Sequence, residues 1–435
     1  MPPDPLSPDD VVFIDGCRIP FLRSGTAYSN LRAYDLGRMV LRGVMTRTGI
    51  DPAHIERVIM GTVVQDVDTT NVARESALAA GIPFRVPAFT VTMACISGNQ
   101  AIASAADLIR TGRADVVVAG GTETLSDMPI RLGKKLRSTL IRARKISSPA
   151  GYLGLVKDLR PKDLRPEIPS ISEYSTGETM GESADKLAAA FDVSREAQDE
   201  YALRSHQLAA EGWSSGMLAP EVLPVSVPPS FEPIVEDNGF RPDTNMEKLR
   251  SLPPAFVKPY GTVTAGNASF LTDGASAVLL MSRRAAQERG YAPRAVLRDY
   301  TFVAQDPGEE LLLGPAYAVP RLLHRGGLRL EDVDVFELHE AFAGQVLAVL
   351  RALASDAFAR ERLDRSEAVG ELPLQKLNIH GGSLSLGHPF GATGARLVTT
   401  AVNRLHAEDG QLAMVAACAA GGLGHAMLIE REASP

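Results

Sequence analysis

TVTMACISGNQAIASAADLIRTGRADVVVAGG, residues 90–121, and GARLVTTAVNRLHAEDGQLAMVAACAAGG, residues 394–422, repeat one pattern. In each, a glycine, Gly98 or Gly394, opens a helical stretch. A turn follows at Thr111-Gly112 or Asp409-Gly410, and an apolar run closes on paired glycines, Gly120-Gly121 or Gly421-Gly422. Short apolar runs bounded by turn residues read as buried strands, and the echo points to two related halves of α/β type. Around the first copy, residues 11–14, 57–64 and 114–119 read as strands and 34–47 as a helix. Around the second, residues 277–281, 333–337 and 412–417 read as strands. Between the copies come a basic segment, two helical stretches near 183–191 and 194–211, and a proline-rich region. The expected organisation is an N-terminal half over 1–121, an inserted block over 122–266 and a C-terminal half over 267–435, with the first half regaining strands near 267–282.

The 435 residues suffice for two to four units at about 150 residues each. A hydrophobic share of 45% with 22% charged residues excludes a disordered, collagen-like or coiled-coil chain. No apolar run approaches the roughly 20 residues that cross a bilayer. The opening MPPDPLSPDD has neither the basic start nor the apolar run of a secretory signal, so a cytoplasmic location is expected. Cys17, Cys95 and Cys418 are too few for a disulfide framework, and no histidine pairing has metal-ligand spacing, so no metal is expected. A net charge of −7 argues against nucleic acid as a partner.

Four segments can carry chemistry, and a fifth can line a channel. Cys95 sits where an apolar strand runs into a helix, and first-turn amides there would lower its thiol toward neutrality; Gly98 would let a ligand approach the backbone. His388, in GGSLSLGHPFGATG, lies on a glycine-rich loop before a helix and can act as a base toward a nearby thiol. Cys418 ends a buried strand, a place where α/β proteins set active sites. His339 and Glu340, in VFELHEAFAGQ, follow another strand. The histidine can aim a donor at developing negative charge, and Glu340 reads as a first-turn acid favoured by the helix dipole. GTVTAGNASFLTDGASA, residues 261–277, is small and polar enough to line a channel. Each segment also has a plain structural reading, as a core cysteine, a turn histidine or a tight strand connection.

Together the four segments resemble one family, the thiolases. The family's C-x-S-G appears as Cys95-Ile96-Ser97-Gly98, its G-H-P as Gly387-His388-Pro389, and its second cysteine precedes glycines as Cys418-Ala419-Ala420-Gly421-Gly422. The phrases ETMGESADKLAAAF, DEYALRSHQLA, KPYGTVTAGNASFLTDGASA, LLLGP and HEAFAGQ are similar to the branch formed by β-subunits of fatty-acid-oxidation trifunctional complexes and their bacterial counterparts. The chain departs from most of the family at His339, where asparagine is usual, at Ala420, where glycine is usual, and at His380, where asparagine is common.

The resemblance implies duplicated halves in five-layer αβαβα packing, with an inserted loop domain covering coenzyme A. It implies thiolytic cleavage of 3-ketoacyl-CoA to acetyl-CoA and an acyl-CoA two carbons shorter, in fatty-acid β-oxidation. Cys95 would be the acylated nucleophile, His388 its base and Cys418 the second acid and base. The backbone N–H groups of Cys95 and Ala420 would form one oxyanion site, and His388 with His339 the other. Ser269 and Phe342 match positions contacting the pantetheine or acyl portion. Coenzyme A is then a substrate, no permanently bound cofactor is implied, and a homodimer or homotetramer is expected, with a hydratase/dehydrogenase α-subunit as a further partner. Three readings compete: an acetoacetyl-CoA thiolase running in the condensation direction, a related ketoacyl synthase without need of Cys418, and a non-catalytic acyl-CoA-binding assembly subunit. An oxidative Cys95–Cys418 pairing is a further expectation.

The basic segment stands apart. Between residues 131 and 165 lie eleven Lys or Arg and two Asp. Leu132, Leu136, Leu140, Ala143 and Ile146 recur there at helical spacing, which suits peripheral membrane contact through 131–146, a partner subunit, or the phosphates of coenzyme A. An apolar stripe packed on the inserted block is the alternative.

Overall fold

The computed structural model describes residues 7–432 other than 158 and 168–171, so the first six residues of the acidic start lie outside the described residues. Nine strands lie along one sheet path: β1 (Val11–Arg18), β2 (Arg57–Gly61), β3 (Ala88–Val91), β4 (Val116–Glu123), β5 (Thr272–Ser282), β6 (Ala295–Ala304), β7 (Val335–Leu338), β8 (Leu412–Ala419) and β9 (Leu423–Arg431). Their order is β7-β8-β9-β6-β1-β5-β4-β2-β3. The path divides into two copies of one arrangement. In the first, β1, β5 and β4 pair antiparallel in turn, and β4, β2 and β3 continue in parallel. In the second, β6, β9 and β8 pair antiparallel, and β8 and β7 in parallel. Where the first copy has β3, the second has a single parallel bridge from Phe336 to Leu377. A short pairing of β1 with β6, Val12 opposite Val296 and Phe13 opposite Ala295, joins the copies. Strand β5 completes the first sheet from beyond the inserted block.

Strand alternation sorts the side chains into separate cores. Val118 of β4 faces outward and packs with Leu36, Val40 and Leu41 of α1 (Ala33–Thr48) and Ala77 of α2 (Val72–Ala80). Its neighbour Val117 faces inward, toward Ile102 and Ile109 of α3 (Ser97–Arg110). In the second copy Met414 of β8 meets the outer helices Gly314–Gly326 and Ala343–Leu353 through Val319 and Val346. Val415 turns inward to Leu397 and Val402 of the Thr393–Ala407 helix. Helix pair, sheet, buried helix pair, sheet, helix pair is the five-layer αβαβα stack that the resemblance implied.

The two buried helices meet end to end against glycines. A Cβ on Gly98 would lie 2.7 Å from the carbonyl oxygen of Gly391. One on Gly121 would run into that same carbonyl, and one on Gly394 into Asn99. Gly98 therefore makes room for the chain's own backbone, not for the ligand that the sequence suggested.

The inserted block packs on the second half. Ala184 and Leu187 of the Met180–Ala190 helix and Tyr201 of the Arg195–Ser214 helix join the outer core there. Arg18 of β1, fully buried, ties the block to the first half through Glu221 at 2.7 Å and Asp237 at 2.5 Å. The expected basic stripe is divided. The helix spans only Lys134–Ala143, Leu132 lies in a two-residue strand paired with Pro166–Glu167, and Ile146 lies beyond the helix end. Leu132, Leu140 and Ile141 are exposed. Among the described residues no helix is long and apolar enough to cross a membrane.

Overpacking a close backbone crossing costs about 1–3 kcal/mol. Gly121→Ala is expected to destabilise the fold by at least that amount, read as a lowered midpoint in denaturant unfolding, whereas Gly154→Ala, with open space around its Cβ position in the Pro149–Lys157 helix, should cost nothing, since alanine favours a helix interior over glycine.

Candidate active site

Cys95 occupies a tight turn between β3 and α3. Ser97 Oγ accepts from Met93 N at 2.8 Å and donates to Ala94 O at 2.7 Å, while Ala94 takes a left-handed φ of 46°. This geometry sets the thiol just ahead of the helix, with the backbone N–H groups of Ala420 and Cys95 itself directed at its sulfur. The sequence suggested that the helix terminus would lower the thiol. Burial outweighs those amides and pushes it up to about 11, so the resting group is a neutral thiol.

His388 lies ahead of the other buried helix. Its backbone N–H donates to Thr272 Oγ1 of β5 at 3.0 Å. Its ring Nδ1 lies 2.6 Å from Thr393 Oγ1, and that hydroxyl donates onward to Pro389 O at 3.1 Å. Committing the hydroxyl proton to Pro389 O assigns the ring proton to Nδ1 and leaves a lone pair on Nε2, the tautomer that a base toward the thiol requires. His339 follows β7, and its backbone N–H donates to Ala416 O at 2.9 Å. Its Nδ1 lies 2.9 Å from Ser383 Oγ. The imidazole centroids are 4.0 Å apart. Cys95 Sγ and one nitrogen of each ring lie within 4.8 Å of one another, and both Nε2 atoms are buried without a hydrogen-bond partner. Burial, aided by Arg396, pulls His339 down to about 3 and His388 well below its ordinary value, so both rings are neutral.

Cys95, His388, Cys418 and Ala420 line a cavity of about 540 Å³. Its walls are mainly apolar, with Met180, Phe256, Leu312 and Phe342 among them, and Ser269 also reaches it. Phe256 packs edge-on against Phe342, centroids 6.1 Å apart. Thus Cys95, His388, Cys418, Ala420, Ser269 and Phe342, spread across the sequence, meet at one cavity. His339 lies behind that wall, fully buried. His380 stands elsewhere, its Cβ beside Gly212 of the inserted block.

Glu340 departs from its reading as a first-turn acid. The helix begins at Ala343, with Phe342 as N-cap. Glu340 is instead a buried tie that accepts from Tyr201 Oη at 3.0 Å, Ser205 Oγ at 2.8 Å and Asn378 Nδ2 at 2.8 Å. Sequence reasoning also missed Glu123. Its carboxyl accepts from the N–H groups of Val63, Val64 and Gly391 at 3.0, 2.9 and 2.9 Å, clasping the His388 loop to the first half. Burial raises it to about 7. Glu173, from the inserted block, accepts from Gly421 N at 2.6 Å and holds the turn after Cys418. The sequence signal for the orienting hydroxyls was slight: Thr393 stands five residues after His388, but Ser383 and His339 meet only in the fold.

A partly buried thiol beside a buried imidazole held by a hydroxyl, on a duplicated α/β scaffold, is the arrangement of a thiol-dependent transferase. Comparisons with known proteins specify it. Residues 11–284 match the thiolase N-terminal domain and residues 291–431 the thiolase C-terminal domain. The chain is 54% identical over 421 residues to the mitochondrial trifunctional enzyme subunit beta of Bos taurus, covering 97% of this chain and 88% of that one. It is 45% identical to a 3-ketoacyl-CoA thiolase of Yersinia pestis, covering 98% and 97%. Its fold superimposes on human mitochondrial 3-ketoacyl-CoA thiolase with a TM-score of 0.81 at 32% identity, covering 98% and 99%. The chain belongs to the thiolase family.

Replacing Thr393 with valine removes the acceptor that fixes the His388 tautomer. A hydrogen bond worth about 1–1.5 kcal/mol corresponds to roughly tenfold in rate, so kcat/KM for Thr393→Val should fall by about that factor or more with little change in melting temperature.

Proposed function

We propose that the chain catalyses thiolysis of 3-ketoacyl-CoA in fatty-acid β-oxidation, with medium or long acyl chains preferred. The observation that carries this reading is the meeting of Cys95, His388 and Cys418 at one end of a largely apolar cavity. His388 Nε2 accepts the thiol proton as Cys95 attacks the keto carbon. The C–C bond breaks, its electron pair leaves with the acetyl-CoA enolate, and Cys418 protonates that carbon. The acyl group remains as a thioester on Cys95. Incoming coenzyme A then gives its proton to the Cys418 thiolate and attacks the thioester. Cys95 leaves and recovers its proton from His388.

The oxyanion donors follow from the same geometry. The Ala420 and Cys95 N–H groups face the sulfur, where an acyl oxygen comes to lie. His388, once protonated at Nε2, and His339 supply the other pair. Ser383 suits His339 for this, because its hydroxyl can donate to Nδ1 and leave Nε2–H as a donor. Ser269 and Phe342 serve as cavity walls for pantetheine or acyl chain.

Further partners follow from the exposed surfaces. Strand β3 ends the described sheet path, with its own Phe89 exposed and Phe84 exposed ahead of it. Natural proteins cover such an edge, which supports a homodimer or homotetramer; analytical ultracentrifugation reads the mass. An α-subunit is a further expected partner, by analogy with the relative named as a trifunctional enzyme subunit. The exposed Leu140, Ile141 and Leu153 beside the basic residues of 131–145 support contact with an anionic membrane. Reversing Lys134, Lys135, Arg137 and Arg142 to Glu should reduce sedimentation with anionic liposomes more than thiolysis of a soluble short substrate; undiminished liposome binding would refute the membrane contact.

The protein is to be incubated with coenzyme A and 3-ketoacyl-CoA substrates of four to sixteen carbons, with Cys95→Ala as control. Acetyl-CoA and the shortened acyl-CoA are expected, with turnover favouring the longer chains. A maximum at four carbons would select the acetoacetyl-specific reading, and binding without product an assembly role.

Because the Cys95 thiol is raised and His388 held low, both are neutral near pH 7. The thiolate forms only as pH climbs toward the folded value of about 11. Alkylation of Cys95 by iodoacetamide in the free enzyme should therefore rise by up to about tenfold per pH unit, without a plateau below about pH 9. A plateau near neutrality would show a thiolate–imidazolium pair instead.

A further inference from the structure

We infer that Cys95, His339 and His388 also form a zinc-binding site, at which one soft divalent cation seals the resting protein. Three observations carry this. The thiol sulfur and one nitrogen of each imidazole lie within 4.8 Å of one another, so side-chain shifts on the order of 1 Å bring them to the roughly 3.3–3.6 Å spacing of a tetrahedral ion with Zn–S of about 2.3 Å and Zn–N of about 2.0–2.1 Å. Both Nε2 atoms are fully buried and lack any protein partner, a cost that an ion at their focus removes. Each Nδ1 is already held by a hydroxyl, Thr393 at 2.6 Å and Ser383 at 2.9 Å, the outer support that orients metal-ligating histidines.

The protonation states suit a soft cation. Burial keeps both imidazoles neutral, as ligation requires. His388 already presents its lone pair at Nε2. Ser383 Oγ can accept from His339 Nδ1 as well as donate to it, so His339 turns from donor to ligand by carrying its ring proton on Nδ1 instead of Nε2. Cys95 loses its proton to solvent on binding, giving one thiolate, two neutral nitrogens and a divalent ion, with the fourth position open to the cavity for water. Thiolate and imidazole together select zinc over magnesium or calcium. The Arg396 charge behind the rings is opposed by Glu337 at 3.4 Å.

Occupancy and inhibition are separable. Binding depends only on the three side chains. Inhibition rests on the thiolase reading, because the ion takes the Cys95 lone pair needed for acylation and the His388 nitrogen that would receive its proton. Loss of thiolysis activity at the first assay would therefore leave the metal site to be judged by its own readout.

That readout is cobalt(II) added to the full-length protein without substrate. A single equivalent should produce a thiolate-to-metal charge-transfer band and the intense visible bands of four-coordinate cobalt, and zinc should displace it. Cys95→Ser should abolish the charge-transfer band. His339→Asn should weaken zinc binding by about 100-fold, the upper end of what the loss of even an outer partner costs. Zinc should also suppress Cys95 alkylation by iodoacetamide, and a chelator should restore it; this needs no variant that must fold. Absence of the charge-transfer band, a band that survives Cys95→Ser, or alkylation indifferent to zinc would each overturn the site.

Discussion

The contact on which the rest depends is the end-to-end meeting of two buried helices across a seam of backbone. Gly98, Gly121, Gly391 and Gly394 sit where any side chain would strike the opposite main chain, so the Ser97–Arg110 and Thr393–Ala407 helices approach more closely than ordinary side-chain packing allows. One half brings Cys95 on the turn before its helix, and the other brings His388 on the loop before its own. A partly buried thiol and a buried base from distant parts of the chain become neighbours because the seam residues carry only hydrogen as side chain. Glu123 fastens the seam from the side, its carboxyl bonded to amides of both halves.

The electrostatic character of the site follows from that burial. Lying where the halves meet, it is largely withdrawn from water, and desolvation is the largest influence on Cys95, Cys418, His339 and His388 alike. Four neutral groups store little charge at rest. Donors are worth most at the moment charge appears, since the low-dielectric surroundings screen them weakly. Hydroxyl partners suit this better than carboxylates would: Thr393 and Ser383 fix ring orientation without fixing a cation beside them.

Much of this was legible in the chain. The glycine-to-glycine echo pointed to the duplication because it depends on local spacing, whereas the five layers came only from the family resemblance. Cys95, His388 and Cys418 were legible locally as well, each being flanked by small residues that mark a close approach. What escaped were groups whose meaning comes from distance. Glu123 has no local signal, and Glu340 reads as a first-turn acid until Tyr201, Ser205 and Asn378 converge on it. The direction of the Cys95 shift was misread because a helix terminus is visible in sequence while the degree of burial is not.

The duplication also divides the work unequally. The first sheet ends in a full edge strand, β3, leading to the nucleophile turn, whereas the second keeps only the Phe336–Leu377 bridge at that place. Beyond that bridge, Asn378 donates to Glu340 and Ser383 meets His339. The second half has given up a strand's ladder for a loop rich in side-chain hydrogen bonds, and it supplies His339, His388 and Cys418 from three separate loops or strand ends. A symmetric pair of halves would present two equivalent turns facing each other. Relaxing one edge lets the second half surround the single thiol of the first with a base, a second thiol and a donor, each held by its own element.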